Sequence, residues 1–355
     1  MREVGGSAGR SGHWRAVETG RMVYSARETL ARLLGAHDPL RIAFTKNATE
    51  AINMAIWGLL KPGDHVITSS IEHNSVMRPL HAAGTFGIKH TLVDCSPDGS
   101  MDPAGVTRGI RPETALIVLN HASNVTGTIL PVADVASIAR SREIPLLVDA
   151  AQTAGRIPID VEAQGIDMLA FSGHKELFGV QGTGGLYVRE GIELTPICYG
   201  GTGSKSSALE QPRAMPDRLE SGTLNSVGIA GLGAGAQFVS DTGIVKIRAH
   251  ELELMARALE GLSGIKGIKT YGPVSPEARV GIVPLTFDRC WPPEAAEILD
   301  LRYGIATRPG LHCSPLAHRT IGTIETGALR VSFSYLNTSA DVEYLLECLR
   351  ELASS

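Results

Sequence analysis

Short apolar runs alternate with longer amphipathic segments through the first half of the chain. Between about residues 40 and 190, seven runs rich in Val, Ile, Leu and Phe have the length of β-strands. Several of them are apolar at every position, which is typical of strands buried on both faces of a mostly parallel sheet. The seven runs are RIAFT, HVITSS, KHTLVDC, TALIVLN, PLLVDA, DMLAFS and GGLYVRE.

Helical patterns separate most of these runs. The segments TEAINMAIWGLL and VADVASIARSR have apolar residues at helical spacing, and we expect a further short helix within VEAQGIDMLAF. The alternation predicts an α/β fold, in which a seven-stranded, mostly parallel sheet lies between layers of helices.

The pattern changes in the second half. A polar stretch rich in Gly and Pro, residues 200–222, precedes a long helical region from about Gly228 to Leu262. Its glycines in GLGAGA follow no strand, so we expect them to serve close helix packing and not dinucleotide binding. Four segments then predict β-α-β-α order and a smaller α+β domain: VGIVPLTF, EAAEILDLRY, GALRVSFSY and SADVEYLLECLREL. We expect a large domain over residues 20–235 and a small domain formed by residues 1–19 and 236–355.

Composition narrows the class of partner. The 355 residues carry a formal net charge of −4 and no dense Lys/Arg block, so neither nucleic acid nor a membrane surface is an expected partner. No apolar run approaches the ~20 residues that span a bilayer. The five cysteines are scattered and odd in number, which disfavours a disulfide framework or a zinc site and fits a cytoplasmic protein. A small-molecule partner is expected.

Polar residues follow several predicted strands, at the edge where α/β sheets bind ligands. Thr49 follows RIAF and is predicted to cap a helix whose free N–H groups could hold an anion. His73 follows HVITSS, and Asn124 follows TALIVLN. Each is weak evidence alone, because ordinary caps, surface histidines and turn asparagines are common.

Asp149 ends the apolar run PLLV, and Gln152 comes one helical turn later. A buried carboxylate needs a partner, and a protonated pyridine nitrogen would be one. Lys175 follows after one further predicted helix and strand, so that Asp149 and Lys175 can lie on neighbouring strand ends. Ser172 and Lys175 also match the S-x-x-K motif of serine acyl-enzymes, but the S-D-N and K-T-G elements that accompany that motif do not occur.

Seven motifs occur in the order seen in fold-type-I pyridoxal phosphate (PLP) enzymes: NATEAIN, EHNS, SNVTGT, VDAAQ, SGHK, GTGGLYVRE and ESGTLN. The chain resembles the class V aminotransferase family, and most closely its cysteine desulfurase and selenocysteine lyase branch, from about Gly5 to the C-terminus. The resemblance implies the PLP-dependent transferase fold of type I and PLP as the cofactor.

The resemblance also implies roles for individual residues. Lys175 would carry PLP covalently and take part in proton transfer, and Asp149 would pair with the pyridine nitrogen. Gln152 and Asn124 would contact the ring hydroxyl, and His73 would stack on the ring and take part in catalysis. The phosphate would be held by Ala48, Thr49, Ser172 and His174, and by Thr223 from the neighbouring subunit of a homodimer.

Two stretches of the C-terminal half bear on the reaction. Arg330 lies in the otherwise apolar GALRVSFSY, where an unpaired guanidinium is costly, and Cys313 lies among cationic residues in ATRPGLHCSPLAHRTIG. By resemblance, Arg330 would clamp the substrate carboxylate, with Arg308 and Asn124 also binding substrate. Cys313 would attack the sulfur of cysteine, giving alanine and a persulfide for transfer to a sulfur-acceptor protein, as in iron–sulfur cluster assembly.

Two classes of alternative remain open at this point. The chain could be another class V PLP enzyme, namely a selenocysteine lyase, a cysteine sulfinate desulfinase or an aminotransferase. It could also be a non-catalytic sulfur-assembly scaffold. The family usually begins with a strand and a DNAAT-like segment that would precede Met1, so we expect a missing N-terminal segment and an effect on activity.

Overall fold

The computed structural model describes residues 5–9, 11–204 and 207–354, which form two β-sheets with helices packed against them. The larger sheet has seven strands in the order β1-β7-β6-β5-β4-β2-β3. Its strands are β1 (Ile42–Thr45), β2 (His65–Ser69), β3 (Lys89–Val93), β4 (Thr114–Asn120), β5 (Leu146–Asp149), β6 (Met168–Ser172) and β7 (Gly184–Val188). Each coincides with one of the seven predicted runs, and the predicted α/β class is confirmed.

The sheet is parallel from β3 through β2, β4 and β5 to β6, whereas β7 pairs antiparallel with both β6 and β1. Both faces are buried, as the apolar runs predict. Along β4, Leu116 and Val118 pack into the core on one face, while Ile117 and Leu119 pack into the core on the other. The carboxyl ends of β4, β5 and β6 therefore lie side by side at one edge of a rigid, covered sheet.

Helices cover both faces of the larger sheet and also pack against the second sheet. Those in the described residues are α1 (Trp14–Leu34), α2 (Ala48–Leu59), α3 (Asn74–Ala83), α4 (Ala104–Gly109), α5 (Val132–Ser141), α6 (Ser226–Thr242), α7 (Ile244–Ser263), α8 (Pro292–Tyr303), α9 (Pro315–Thr320) and α10 (Ser339–Ser354). Nowhere in the described part of the chain is a helix long and apolar enough to cross a bilayer.

Two helical expectations need correction. The predicted long helix is two helices, because Gly243 between α6 and α7 has a φ of 87°, which a continuing helix does not allow. The short helix expected within VEAQGIDMLAF does not form: residues 161–165 are a turn that precedes β6. Gly165 takes a left-handed conformation there (φ 68°), which interrupts helical geometry.

The GLGAGA glycines lie within α6 and pack against other elements. A Cβ atom on Gly233 would lie 2.8 Å from the Cβ atom of Ala26 in α1. The absent side chain thus allows α1 and α6 to approach closely, and the expectation of close helix packing is confirmed.

The second sheet is antiparallel, in the order β10-β11-β9-β8. Its strands are β8 (Ile268–Thr270), β9 (Ile282–Phe287), β10 (Arg308–Gly310) and β11 (Ala328–Ser332). They share a separate apolar core with α7, α8 and α10. The division at residues 20–235 stays a prediction, and residues 1–4 and 10 of the predicted N-terminal part lie outside the described residues. The register of β10 and β11 places Arg308 opposite Arg330.

Candidate active site

A cavity opens at the carboxyl ends of β4, β5 and β6, where α2 and α3 begin. Polar and charged side chains from several of these elements converge on it, as in small-molecule sites. The predicted site residues that line it are Ala48, Thr49, His73, Asn124, Asp149, Gln152, Ser172 and Lys175, and Ser75, Asn120, Ala122 and Ala151 complete the wall.

The N-terminus of α2 forms one end of the cavity. The helix is capped by Asn47, whose Oδ1 accepts a hydrogen bond from Glu50 N–H at 2.9 Å, so the expectation that Thr49 is the cap was wrong. Asparagine is among the best capping residues, and its position moves Thr49 into the first helical turn. The Glu50 carboxylate accepts a hydrogen bond from Lys46 N–H, which supports this turn. The free N–H groups and dipole of α2 favour an anion here.

Ser172, the last residue of β6, connects the sheet to this helix end. Its Oγ accepts a hydrogen bond from Ala48 N–H at 3.1 Å, and its own hydroxyl proton can still be donated. The close approach depends on Gly184 of β7, because a Cβ atom there would lie 2.8 Å from the Cα atom of Asn47. Ser172 and the start of α2 therefore form one polar, anion-compatible surface.

Asp149 and Lys175 supply the charges of the cavity. Asp149 is buried, accepts a hydrogen bond from Ala151 N–H at 2.9 Å, and forms no ion pair within the described residues. Burial lowers the pKa of Lys175, while the negative charge of Asp149 opposes that shift. A lysine with a lowered pKa has more neutral, nucleophilic amine near neutral pH.

His73 caps α3, and its Nδ1 accepts a hydrogen bond from Ser75 N–H at 3.0 Å. Burial lowers the pKa of His73, so the cavity wall presents a neutral imidazole. Gln152 also lines the cavity, and its side chain makes no hydrogen bond to another described residue.

A second chamber adjoins the first and shares His73, Asn124, Gln152 and Lys175 with it. Arg308 and Arg330 line this chamber, and neither forms an ion pair within the described residues. Arg330 Nη1 donates to the Asn124 carbonyl at 3.0 Å, and burial is the main reason that its pKa falls to about 10. Arg330 stays charged at neutral pH with this pKa, and a chamber lined by two guanidinium groups is suited to a carboxylate.

Cys313 is exposed beside this chamber, in the turn between β10 and α9. Its neighbour Arg308 donates from Nη2 toward Sγ at 3.6 Å, and His312 lines the chamber wall. The expectation of cationic surroundings for this thiol holds for Arg308 and was wrong for His312 and His318, because burial lowers the pKa of both imidazoles to about 4 and leaves them neutral. Two predicted phosphate ligands, His174 and Thr223, are exposed and do not line the cavity, and their roles stay predictions.

Several buried charged residues near the site were missed by the sequence analysis. Arg156 is enclosed below Lys175 and bonds Glu176 at 2.5 Å, Glu251 at 3.0 Å and the Phe333 carbonyl at 3.0 Å. It thereby ties the Lys175 turn to α7 and to the end of β11. The available signal was a charged residue in an otherwise small, apolar stretch, QTAGRIP.

Glu72 was missed as well, although it lies inside the quoted motif EHNS. It is fully buried behind His73, and burial raises its pKa to about 8, so it is mostly protonated at neutral pH. It accepts hydrogen bonds from the Ser69 hydroxyl at 2.5 Å and from Asn120 N–H. Glu72 thus joins the ends of β2 and β4 under the cavity.

The aminotransferase class V family model matches residues 1–345. The chain belongs to this family. A "Probable cysteine desulfurase" of Methanothermobacter thermautotrophicus is 34% identical over 99% of this chain and 89% of its own length. A cysteine desulfurase of Salmonella dublin is 31% identical over 96% of this chain and 84% of its own. The apo structure of the cysteine desulfurase from Thermococcus onnurineus NA1 superposes with a TM-score of 0.93 at 31% identity, covering 98% of this chain and 88% of that one.

Proposed function

We propose that the chain is a PLP-dependent cysteine desulfurase that converts L-cysteine to L-alanine and forms a persulfide on Cys313. The observation that carries the proposal is the continuity of three features. A half-buried lysine and a buried carboxylate line one cavity. Two arginines with no ion-pair partner among the described residues line the adjoining chamber, and an exposed thiol lies at its side. Relatives named cysteine desulfurase support it.

The residues of the first cavity fit PLP. The start of α2 with Ser172 suits the phosphate, and the Asp149 carboxylate, which has no ion-pair partner in the described residues, suits the protonated ring nitrogen. The His73 ring offers a flat, neutral surface, and Lys175 offers the amine for covalent attachment. When bound, PLP supplies an electron sink for bonds at the α-carbon of an amino acid.

Lys175 would then move protons within the site. Its lowered pKa lets the amine take a proton at Nζ near neutral pH and return it later. Arg156 braces this region through Glu176, the residue that follows Lys175. We therefore give Lys175 two roles, covalent anchor and proton carrier, and Arg156 a supporting one.

Arg330 would orient the substrate by its carboxylate. A guanidinium can form two parallel hydrogen bonds with a carboxylate, which a lysine cannot. Nη1 already donates to the Asn124 carbonyl. The other N–H donors of Arg330, together with those of Arg308, would bind the substrate carboxylate. In the resulting pose the substrate sulfur would come toward Cys313.

Cys313 would be the sulfur acceptor. Its thiolate would bond to the substrate sulfur as the carbon–sulfur bond breaks, and the former β-carbon would gain a proton, so that cysteine and the thiol become alanine and a persulfide. Arg308 Nη2 lies 3.6 Å from Sγ and places a guanidinium donor beside the reacting sulfur. The exposure of Cys313 leaves the persulfide accessible to a sulfur-acceptor protein.

Further expectations come from the resemblance. A homodimer would bring Thr223 to the neighbouring subunit's phosphate site, and the exposure of Thr223 leaves it accessible for that contact. His174 would join the phosphate ligands. A cytoplasmic location, a role in iron–sulfur cluster assembly and the division into domains at residues 20–235 belong to the same proposal.

The test uses the purified full chain with PLP. We expect a yellow chromophore, borohydride reduction that fixes PLP on Lys175, and equal amounts of sulfide and alanine from cysteine in the presence of a thiol. Absence of PLP on Lys175 after reduction would contradict the cofactor assignment. Turnover of selenocysteine or cysteine sulfinate without cysteine turnover would favour those lyases, amino-group transfer would favour an aminotransferase, and PLP binding without any turnover would favour a scaffold.

A further inference from the structure

The backbone around Cys313 takes an uncommon conformation. His312 has a φ of 53° and Cys313 a φ of 60°, so two successive non-glycine residues lie in the left-handed region. This region is uncommon for residues with a side chain and persists only where surrounding contacts hold it. We call residues 311–314 the Cys313 turn, and contacts on two sides of it hold this conformation.

On the cavity side the Asn124 amide contacts the turn twice. Its Nδ2 donates to the His312 carbonyl at 2.7 Å, and its Oδ1 accepts from the Ser314 hydroxyl at 2.7 Å. A carbonyl can only accept, so the first bond fixes the orientation of the amide. All three residues are buried, and the two bonds hold the chain immediately before and after Cys313.

The backbone of α3 adds a third contact from the same wall. Asn74 N–H donates to the Cys313 carbonyl at 2.8 Å. Residues 312, 313 and 314 are therefore each bonded to the wall that also carries His73 and Asn124. The thiol is exposed, but the backbone that carries it is fixed on one side at every residue.

Two histidines hold the opposite side. His312 Nε2 donates to the Arg308 carbonyl at 2.9 Å, which leaves Nδ1 to accept from His318 Nε2 at 3.0 Å. His318 Nδ1 then accepts from the Thr323 hydroxyl at 2.7 Å. This chain of neutral groups fixes the His312 ring, so the removal of one cavity-side bond is expected to loosen the turn without releasing it.

We propose that Asn124 is a positioning residue for Cys313. Its amide fixes the left-handed turn and so sets the thiol beside Arg308 at the substrate chamber. This goes beyond contact with the cofactor ring hydroxyl, and both roles are compatible because Nδ2 carries a second hydrogen. The catalytic consequence rests on the proposed function, whereas the positioning itself can be measured without any turnover.

Asparagine suits this task chemically. An aspartate would keep the acceptor for Ser314 but would turn a carboxylate oxygen toward the His312 carbonyl, replacing an attraction by a repulsion. Ser314 offers the cleaner test, because it is buried, lies outside both chambers and contributes only its hydroxyl to Asn124.

The experiment is amide hydrogen exchange of the full chain, without substrate, in Ser314→Ala, Asn124→Asp and the control Thr29→Val. Thr29 is a buried threonine of α1 whose hydroxyl donates to the Ser25 carbonyl and accepts from Arg32 Nη2. Thr29→Val therefore removes one buried, hydrogen-bonded hydroxyl far from the turn. The reporters are the Ser314 and Asn74 amides, which donate to Leu311 and to Cys313. We expect exchange at both reporters to rise about tenfold in the two test variants and not in the control.

Alkylation of Cys313 by iodoacetamide, normalised to the exposed Cys198 of the same chain, gives a second reading. We expect the normalised rate to fall several-fold, roughly threefold or more, because the thiol leaves Arg308. Unchanged exchange and alkylation in folded Ser314→Ala overturn the proposal, as does an equal rise in Thr29→Val. If Ser314→Ala does not fold, Asn124→Asp decides by the same readings. Absent desulfurase activity in the unsubstituted chain would refute the proposed function while leaving these readings intact.

Discussion

The cavity at the strand ends and the Cys313 turn are built in different ways. The cavity wall is carried by β4, β5 and β6, whose residues are buried at nearly every position, and by the starts of two helices of ten residues or more. The Cys313 turn lies between the three-residue β10 and the six-residue α9. It is held by side-chain hydrogen bonds to a left-handed backbone.

Attachment of the cofactor and nucleophilic attack on the substrate sulfur have different structural requirements. A lysine that carries a cofactor needs a fixed position, and the covered sheet provides it by fixing the strand that precedes Lys175. A nucleophile that must pass its sulfur on needs to be exposed, so its position must be set by local polar contacts. The two regions are therefore expected to fail separately when single residues are changed.

The largest effect is expected from Cys313→Ser. We expect cysteine-dependent sulfide release to fall by at least about 1000-fold, because a serine hydroxyl does not supply a thiolate nucleophile. Borohydride fixation of PLP on Lys175 should be unchanged, because Cys313 is outside the cavity wall. Cys198→Ser, another exposed cysteine, is the control and should retain activity. Loss of PLP fixation in Cys313→Ser would show that the two regions are not separable.

Asp149→Asn changes the cavity and should leave the Cys313 turn intact. We expect kcat to fall on the order of 100-fold, because a neutral amide stabilises a protonated pyridine nitrogen less well than a carboxylate does. Cys313 alkylation should be unaffected. The measurement combines steady-state kinetics with the visible spectrum of bound PLP, and an unaltered spectrum with full activity would remove Asp149 from its proposed role.

Arg330→Lys is expected to act on substrate binding. A lysine keeps the charge but loses the paired hydrogen bonds to the carboxylate, so KM for cysteine should rise about 10- to 100-fold with a smaller change in kcat. The exposed Arg21→Lys on α1 is a matched control and should have no effect. A fall in kcat at constant KM would instead indicate that Arg330 acts after substrate binding.

The smallest effect concerns the pH dependence of stability. Burial lowers the pKa values of His312 and His318 from 6.5 to about 4. Between these values the unfolded chain binds more protons, so stability falls as the pH falls from about 6.5 to about 4. His318→Gln removes one of the two groups, so its free energy of unfolding should fall less steeply with falling pH over this range. Urea unfolding at several pH values measures this, and identical slopes would contradict it.

Most of the larger sheet could be predicted from the sequence, because strands buried on both faces must be apolar at nearly every position. The ends of these apolar runs also indicated the site, because polar residues such as Asn124 and Asp149 directly follow the strands. Local chemistry was harder to predict. The cap of α2 is Asn47 and not Thr49, and both residues are acceptable caps, so only the three-dimensional path of the chain distinguishes them.

Contacts between distant segments could not be predicted. The Asn124 amide meets His312 and Ser314 across 188 and 190 residues of sequence, and no periodicity or spacing reports such a pairing. Arg156 and Glu251 are likewise joined across 95 residues. The helix expected before β6 was wrong, because the left-handed Gly165 ends the turn there and interrupts helical geometry.

The most direct test of the account follows the sulfur atom itself. The PLP-loaded chain is incubated with cysteine carrying a heavy sulfur isotope, without added thiol, then alkylated, digested and analysed by mass spectrometry. We predict one heavy sulfur atom per chain, attached as a persulfide to the peptide containing Cys313, together with an equal amount of alanine. Heavy sulfur on another cysteine, or alanine formed with no persulfide on Cys313, would contradict the account.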